Sequence, residues 1–85
     1  MEIAHQIPSG WLVDPTGERM VLFIKDPMSE RQYPKFYIDK WSADNGIRTR
    51  FKKRKIAVKE EAVRIWTNLI ENGWNKVEPL VGEVA

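Results

Sequence analysis

Hydrophobic positions change their spacing twice along the chain, and those changes divide it into elements. Residues 20–24, Met-Val-Leu-Phe-Ile, are continuously apolar, the pattern of a central strand buried on both faces. Gly10-Trp11-Leu12-Val13 precedes them across Asp14-Pro15-Thr16-Gly17. Pro at the second turn position and Gly at the fourth favour a type I turn, so the two arms predict a β-hairpin. Asp26-Pro27 ends the second arm, and residues 28–32 are polar. Residues 33–41 are aromatic and β-prone, with Pro34 confining their start to a strand end or edge. Asp44-Asn45-Gly46 is a strong hairpin signal, because Asn-Gly tolerates the positive φ angles of a type I′ turn. Residues 47–53 then predict the returning strand.

After Lys55 the period moves from two to about 3.6. Val58, Ala62, Ile65, Trp66, Leu69 and Ile70 fall on one stripe of a helix over about 58–72. Glu60 and Glu61 stand in its first turn, where the helix dipole favours carboxylates, and Glu60 precedes Arg64 by four. Gly73 is placed as the left-handed residue beyond the helix end, with Trp74 folding back on the last turn. A good N-cap is missing, since Ala57 stands where a short polar residue is expected. The order β-β-β-β-α predicts an α+β fold: a four-stranded antiparallel meander with one C-terminal helix packed on one face. The domain reads as residues 10–78, between an N-terminal tail (1–9) and a flexible C-terminal tail (79–85). One helix covers one face only, which leaves the other to solvent or to a partner.

A chain of 85 residues holds one thin core and no cleft between domains. Four Trp, two Tyr and three Phe argue against disorder. No cysteine is present, which excludes a disulfide framework, a thiolate nucleophile and a zinc–cysteine site. No apolar run approaches the ~18 residues of a membrane span, and the N-terminus lacks the basic start and apolar stretch of a signal peptide. A cytoplasmic protein with no membrane partner is the expectation.

The net charge of +2 hides a strong asymmetry. Residues 1–46 carry five basic against seven acidic side chains, and residues 60–85 two against five. Between them, residues 47–59 hold seven basic residues and no acidic one. If Asn45-Gly46 are the two central turn residues, Trp41 faces Arg50, Asp39 faces Lys52 and Tyr37 faces Arg54 on one side of the sheet. Phe36, Ile38, Thr49 and Phe51 then lie toward the helix. A slip of one residue would exchange the faces.

The side that lacks the helix thus interleaves aromatics with cations. Tyr37, Trp41, Arg48, Arg50, Lys52, Lys53, Arg54 and Lys55 are the candidate binding residues. Such a stripe suits phosphate contacts, with Tyr37 or Trp41 stacking a single-stranded base. It equally suits a solvated strand whose charges keep the edge from aggregating. Trp66 and Trp74 read as core, whereas Trp11 reads as either core or interface anchor. Catalytic chemistry is poorly supplied. His5 is the sole histidine and has no identifiable partner, and Ser9, Ser29 and Ser42 lack a base to activate them. Consecutive Glu60 and Glu61 point about 100° apart on a helix and make no catalytic pair. No metal-ligand spacing and no glycine-rich phosphate loop occurs. A protein without catalytic activity, metal or cofactor is the expectation.

Gly10-Trp11-Leu12-Val13 near the start, Glu61-Ala62-Val63-Arg64-Ile65-Trp66 in the helix and Asn72-Gly73-Trp74 after it form a pattern. It resembles a family of small domains of unknown function from marine cyanobacteria and their phages, over about residues 10–79. The resemblance implies a cytoplasmic protein and carries no functional residue with it. A weaker likeness is to the WGR domain of nucleic-acid-associated proteins. It rests on Phe36-Tyr37-Ile38-Asp39-Lys40-Trp41, Gly46 and Arg48-Thr49-Arg50-Phe51 before the helix, but Phe51-Lys52-Lys53 stands where Trp-Gly-Arg belongs. Two functions follow as expectations. The first is a regulatory or adaptor module that binds another protein, or a second copy of itself, through the open sheet face. The second is single-strand nucleic-acid binding along residues 48–55.

Overall fold

Two hairpins and a helix account for most of the chain, and the route between them sets where each candidate residue falls. The structure, a computed structural model, describes residues 7–77. Residues 1–6, His5 among them, and residues 78–85 lie outside the described residues, and so does most of the two expected tails. The elements are β1 (Gly10–Val13), β2 (Arg19–Lys25), β3 (Lys35–Asp44), β4 (Ile47–Val58), α1 (Lys59–Glu71) and β5 (Asn75–Val77). They build an α+β fold with one antiparallel sheet in the order β4-β3-β2-β1-β5.

The first four strands form the expected meander, and β2, the apolar run, is central. A fifth strand corrects the expected count of four. β5 pairs with β1, setting Trp11 against Val77 and Val13 against Asn75. Only three residues long, and including Asn75 and Lys76, it has too few positions to show a strand's alternation. The returning strand is also longer than expected. β4 runs to Val58, whose extended backbone (φ −72°, ψ 165°) passes straight into α1 at Lys59 with no side-chain cap. Lysines and arginines are no obstacle there, because β4 is an edge strand with its side chains largely in water.

The helix crosses the sheet from its first edge to its last. Thirteen residues at ~1.5 Å each give a rod of about 20 Å. Five strands spaced ~4.8 Å apart span about 19 Å between outer axes. The helix therefore ends where a strand can add to β1. Its exit is the expected glycine motif: Gly73 (φ +93°) donates its N–H to Ile70 O and Trp74 donates to Leu69 O. Beneath the helix lies the core, Leu12, Val21, Phe23, Phe36, Ile38 and Ala57 from the sheet with Ala62 and Trp66 from α1. Phe23 meets Trp66 edge to face at 5.0 Å. Each large apolar side chain so buried contributes roughly 1.5–3 kcal/mol.

The β1–β2 turn braces both the helix exit and the second hairpin. Gly17 N–H donates to Asp14 O, closing the expected turn, and Gly17 O accepts from Gly46 N–H at 2.9 Å. A Cβ on Gly17 (φ +78°) would lie 3.1 Å from that same nitrogen, so a side chain there would strain the backbone and press on the second turn. A Cβ on Gly73 would meet Pro15 at 3.2 Å. Asn45 and Gly46 both take positive φ, 57° and 81°, as a type I′ turn requires.

Asp14, 3% exposed, holds this corner. Its carboxylate accepts from Thr16 Oγ1 (2.9 Å), the Glu18 and Arg19 N–H groups (3.0 and 3.1 Å) and Arg19 Nε (3.4 Å). Burial pushes its pKa up, but the hydrogen bonds from Thr16, Arg19 and Glu18 outweigh burial and hold it below the ordinary 3.8. A group depressed in the folded state adds stability above its unfolded pKa and loses it as pH falls through the folded one. Asp14→Asn is expected to cost about 1–3 kcal/mol at pH 7. Urea unfolding at pH 7, 4 and 2.5 should show the gap between variant and native protein shrinking below pH 4. A gap independent of pH would contradict the assignment.

Candidate functional site

On the side of the sheet that lacks the helix, residues from three strands make one aromatic row. β1 contributes Trp11, β3 Trp41 and β4 Phe51, meeting edge to face with ring centroids 5.9 and 5.6 Å apart. The guanidinium of Arg48 lies 4.9 Å from the Trp11 ring centre and 5.3 Å from that of Trp41. Beside this row, Arg54 Nε and Nη2 hold both oxygens of buried Asp39, at 2.7 and 2.9 Å. Arg54 also lies 4.1 Å over the ring of Tyr37. The Asp39 hydrogen bond pushes the Arg54 pKa up against the opposing effect of burial. Exposed Ile24 and Ile56 flank Tyr37 from the neighbouring strands. The indole N–H of Trp41 is buried and has no acceptor among the described residues.

Two β-bulges decide which candidates reach this face. The hairpin starts as expected, Asp44 opposite Ile47 and Ala43 opposite Arg48, but then Ser42 meets Arg50 and Trp41 meets Phe51. Thr49 is the extra residue of the first bulge. The second leaves Lys52 unpaired, so that Lys40 meets Lys53 and Asp39 meets Arg54. The first bulge reverses the facing of β4 and the second restores it. Arg50, expected beside Trp41, is thus placed opposite Ser42 on the helix side of the ladder. Phe51, expected in the core, is 47% exposed against Trp41. Tyr37 and Asp39 keep the expected face but take other partners, Ile56 opposite Tyr37 and Arg54 opposite Asp39.

Of the eight sequence candidates, Tyr37, Trp41, Arg48 and Arg54 come together on the open face. Lys52 and Lys53 instead line a groove beside α1. Lys55, opposite Ile38, reaches Glu61 of the helix at 3.3 Å. The run of seven basic residues is therefore divided between two sides of the sheet. Trp11, which reads as either core or anchor, and Phe51, expected in the core, both join the row. Trp11 is 6% exposed beneath Trp41 and Arg48, so it is both buried and part of the row.

Among the described residues no group of acidic or histidine side chains could hold a metal ion. No helix among them is long and apolar enough to cross a membrane. Fold and face together define a small α+β domain whose one helix covers a single side of a five-stranded antiparallel sheet. A family model described as Protein of unknown function (DUF1651) matches residues 9–81, and the chain belongs to that family. Comparison with curated proteins gives no match. Comparison with solved structures gives none either.

Arg54 makes a bidentate contact that an ammonium cannot copy while lying flat on Tyr37. Arg54→Ala strands the buried Asp39 carboxylate and is expected to lower the melting temperature clearly. Arg54→Lys should recover only part of the loss. Full recovery by lysine would show that charge alone matters there.

Proposed function

We propose that this domain is a non-catalytic regulatory or adaptor module that binds another protein through the open sheet face. The observation that supports it best is the set of arginines already stacked on rings beside exposed apolar groups. Arg48 lies over Trp11 and Trp41, and Arg54 over Tyr37, with Phe51 and Ile56 about half exposed next to them. Arginine and large aromatics carry most binding energy at protein interfaces, and side chains already held in place lose little entropy on docking. The indole N–H of Trp41, unpaired among the described residues, is a cost in the middle of this row, where a rule of stability gives way at a surface suited to binding. A partner that fits would present flat apolar and aromatic side chains to these stacked guanidinium groups and the exposed apolar residues beside them. A symmetric dimer through the same face is a variant of this reading, and a cytoplasmic setting in a cyanobacterium or its phage belongs to it.

Nucleic-acid binding is the second reading. It draws on Lys40, Lys52 and Lys53, which have no ion-pair partner among the described residues, and on the WGR-like order of residues 36–51. The division of the basic run between two faces favours the protein partner. Cross-linking and affinity capture from native lysate are expected to recover a partner with the native protein. Recovery should drop at least tenfold with Phe51→Glu or Arg48→Glu, while Lys52→Glu changes it little. Sedimentation of the pure protein distinguishes a second copy from a different chain. Loss of capture with Lys52→Glu alone, or single-strand oligonucleotide binding whose log K falls by roughly 3.5 per decade of salt, would replace this reading with the second.

A further inference from the structure

The helix side of the sheet is incompletely covered, and the gap has its own chemistry. Between α1 and the turn end of β2 and β3 lies a groove of about 400 Å³, the lower part of the range for small-molecule sites. Val21, Ile38, Leu69 and Trp74 make it apolar. Arg19, Lys40, Lys52 and Lys53 also line it, and no acidic residue does. Arg19 is held by Asp14 and lies 5.8 Å from the centre of the Trp74 ring.

The three lysines are brought together at a cost. Lys40 and Lys53 are direct cross-strand partners, an arrangement that destabilises a sheet when the charges are alike. The second bulge adds Lys52 to the same place instead of spreading the charge along the edge. Within the described residues none of the three is neutralised by an ion pair. An anion in the groove would relieve the repulsion, and the apolar surface beside it calls for a bulky non-polar group on the same molecule.

We propose that this groove binds a small amphipathic organic anion, with an aromatic or branched apolar body against Leu69 and Trp74 and an anionic head between Lys40 and Lys53. The groove opens on the helix side of the sheet, and of the open-face row only Trp41 also lines it.

The probe is 8-anilinonaphthalene-1-sulfonate, with N-phenyl-1-naphthylamine as the same ring system without the charge. Saturable one-to-one fluorescence binding to the folded protein is expected for the sulfonate, and at least tenfold weaker binding for the neutral ring. Lys40→Gln with Lys53→Gln should weaken the sulfonate at least tenfold while leaving the melting temperature equal or higher, because the like-charge contact is gone. Chemical-shift changes on binding should centre on Val21, Ile38, Leu69 and Trp74. Phe51→Ser, on the other face, should leave binding unchanged. Equal affinity for the neutral ring, no effect of the lysine substitutions, or loss of binding with Phe51→Ser would each overturn the proposal.

Discussion

A single helix laid across the whole width of one sheet is the constraint from which the rest of this structure follows. α1 starts at the end of one edge strand and finishes beside the opposite edge, and its length of about 20 Å matches the sheet it crosses. Only Ala62 and Trp66 of its residues are fully buried, and Trp66 sets its weight on Phe23 of the central strand. A second helix would be needed to cover the other face, and none occurs among the described residues. The row of half-buried Trp41 and exposed Phe51 and the groove beside Leu69 are two consequences of one shortage of cover.

Such a helix has to be fixed at both ends, and the two ends are fixed differently. At its start no side chain caps it; the extended backbone of β4 leads directly into it, with Lys55 and Glu61 joined across the junction. At its finish a left-handed glycine turns the chain onto Pro15 and into β5. The first hairpin turn is therefore the common support of helix, second hairpin and last strand. Its own geometry rests on the ring of donors around Asp14.

Local chemistry announces most of these elements, because each depends on residues close in sequence. Pro15 and Gly17, Asn45-Gly46, the stripe from Ala62 to Leu69 and Gly73-Trp74 all act within a few positions and behave as their residue types dictate, whereas Val58, expected in the stripe, ends β4 and is exposed, as is Ile70. β5 escapes because three residues at an edge have no period to detect, and their pairing depends on where a distant helix ends. The bulges escape for a related reason. Nothing in Thr49 or Lys52 requires an unpaired residue, and the shift emerges only when β3 and β4 must both follow the twist of the sheet. One such shift moved Phe51 out of the core and Arg50 off the aromatic face, so the site was legible in its residue types and only half legible in its membership.

The bulges also divide the cations between the two sides of the sheet. Arginine is planar and weakly hydrated, so it can lie against a ring without losing much solvation, whereas a lysine ammonium is compact and strongly hydrated. Arg48 and Arg54 fall on the open face and are stacked on Trp11, Trp41 and Tyr37. Lys52 and Lys53 fall on the other side, around a groove with Lys40. Even alternation would have set Arg48, Arg50, Lys52 and Arg54 together on the open face; with the bulges, Arg50 and Lys52 leave it for the helix side. One side thus presents Arg48 and Arg54 already laid flat on rings, and the other gathers Lys40, Lys52 and Lys53, with Arg19 and Arg50, on the side of the helix. A run that reads as one basic stripe along the chain thus becomes two surfaces of different character.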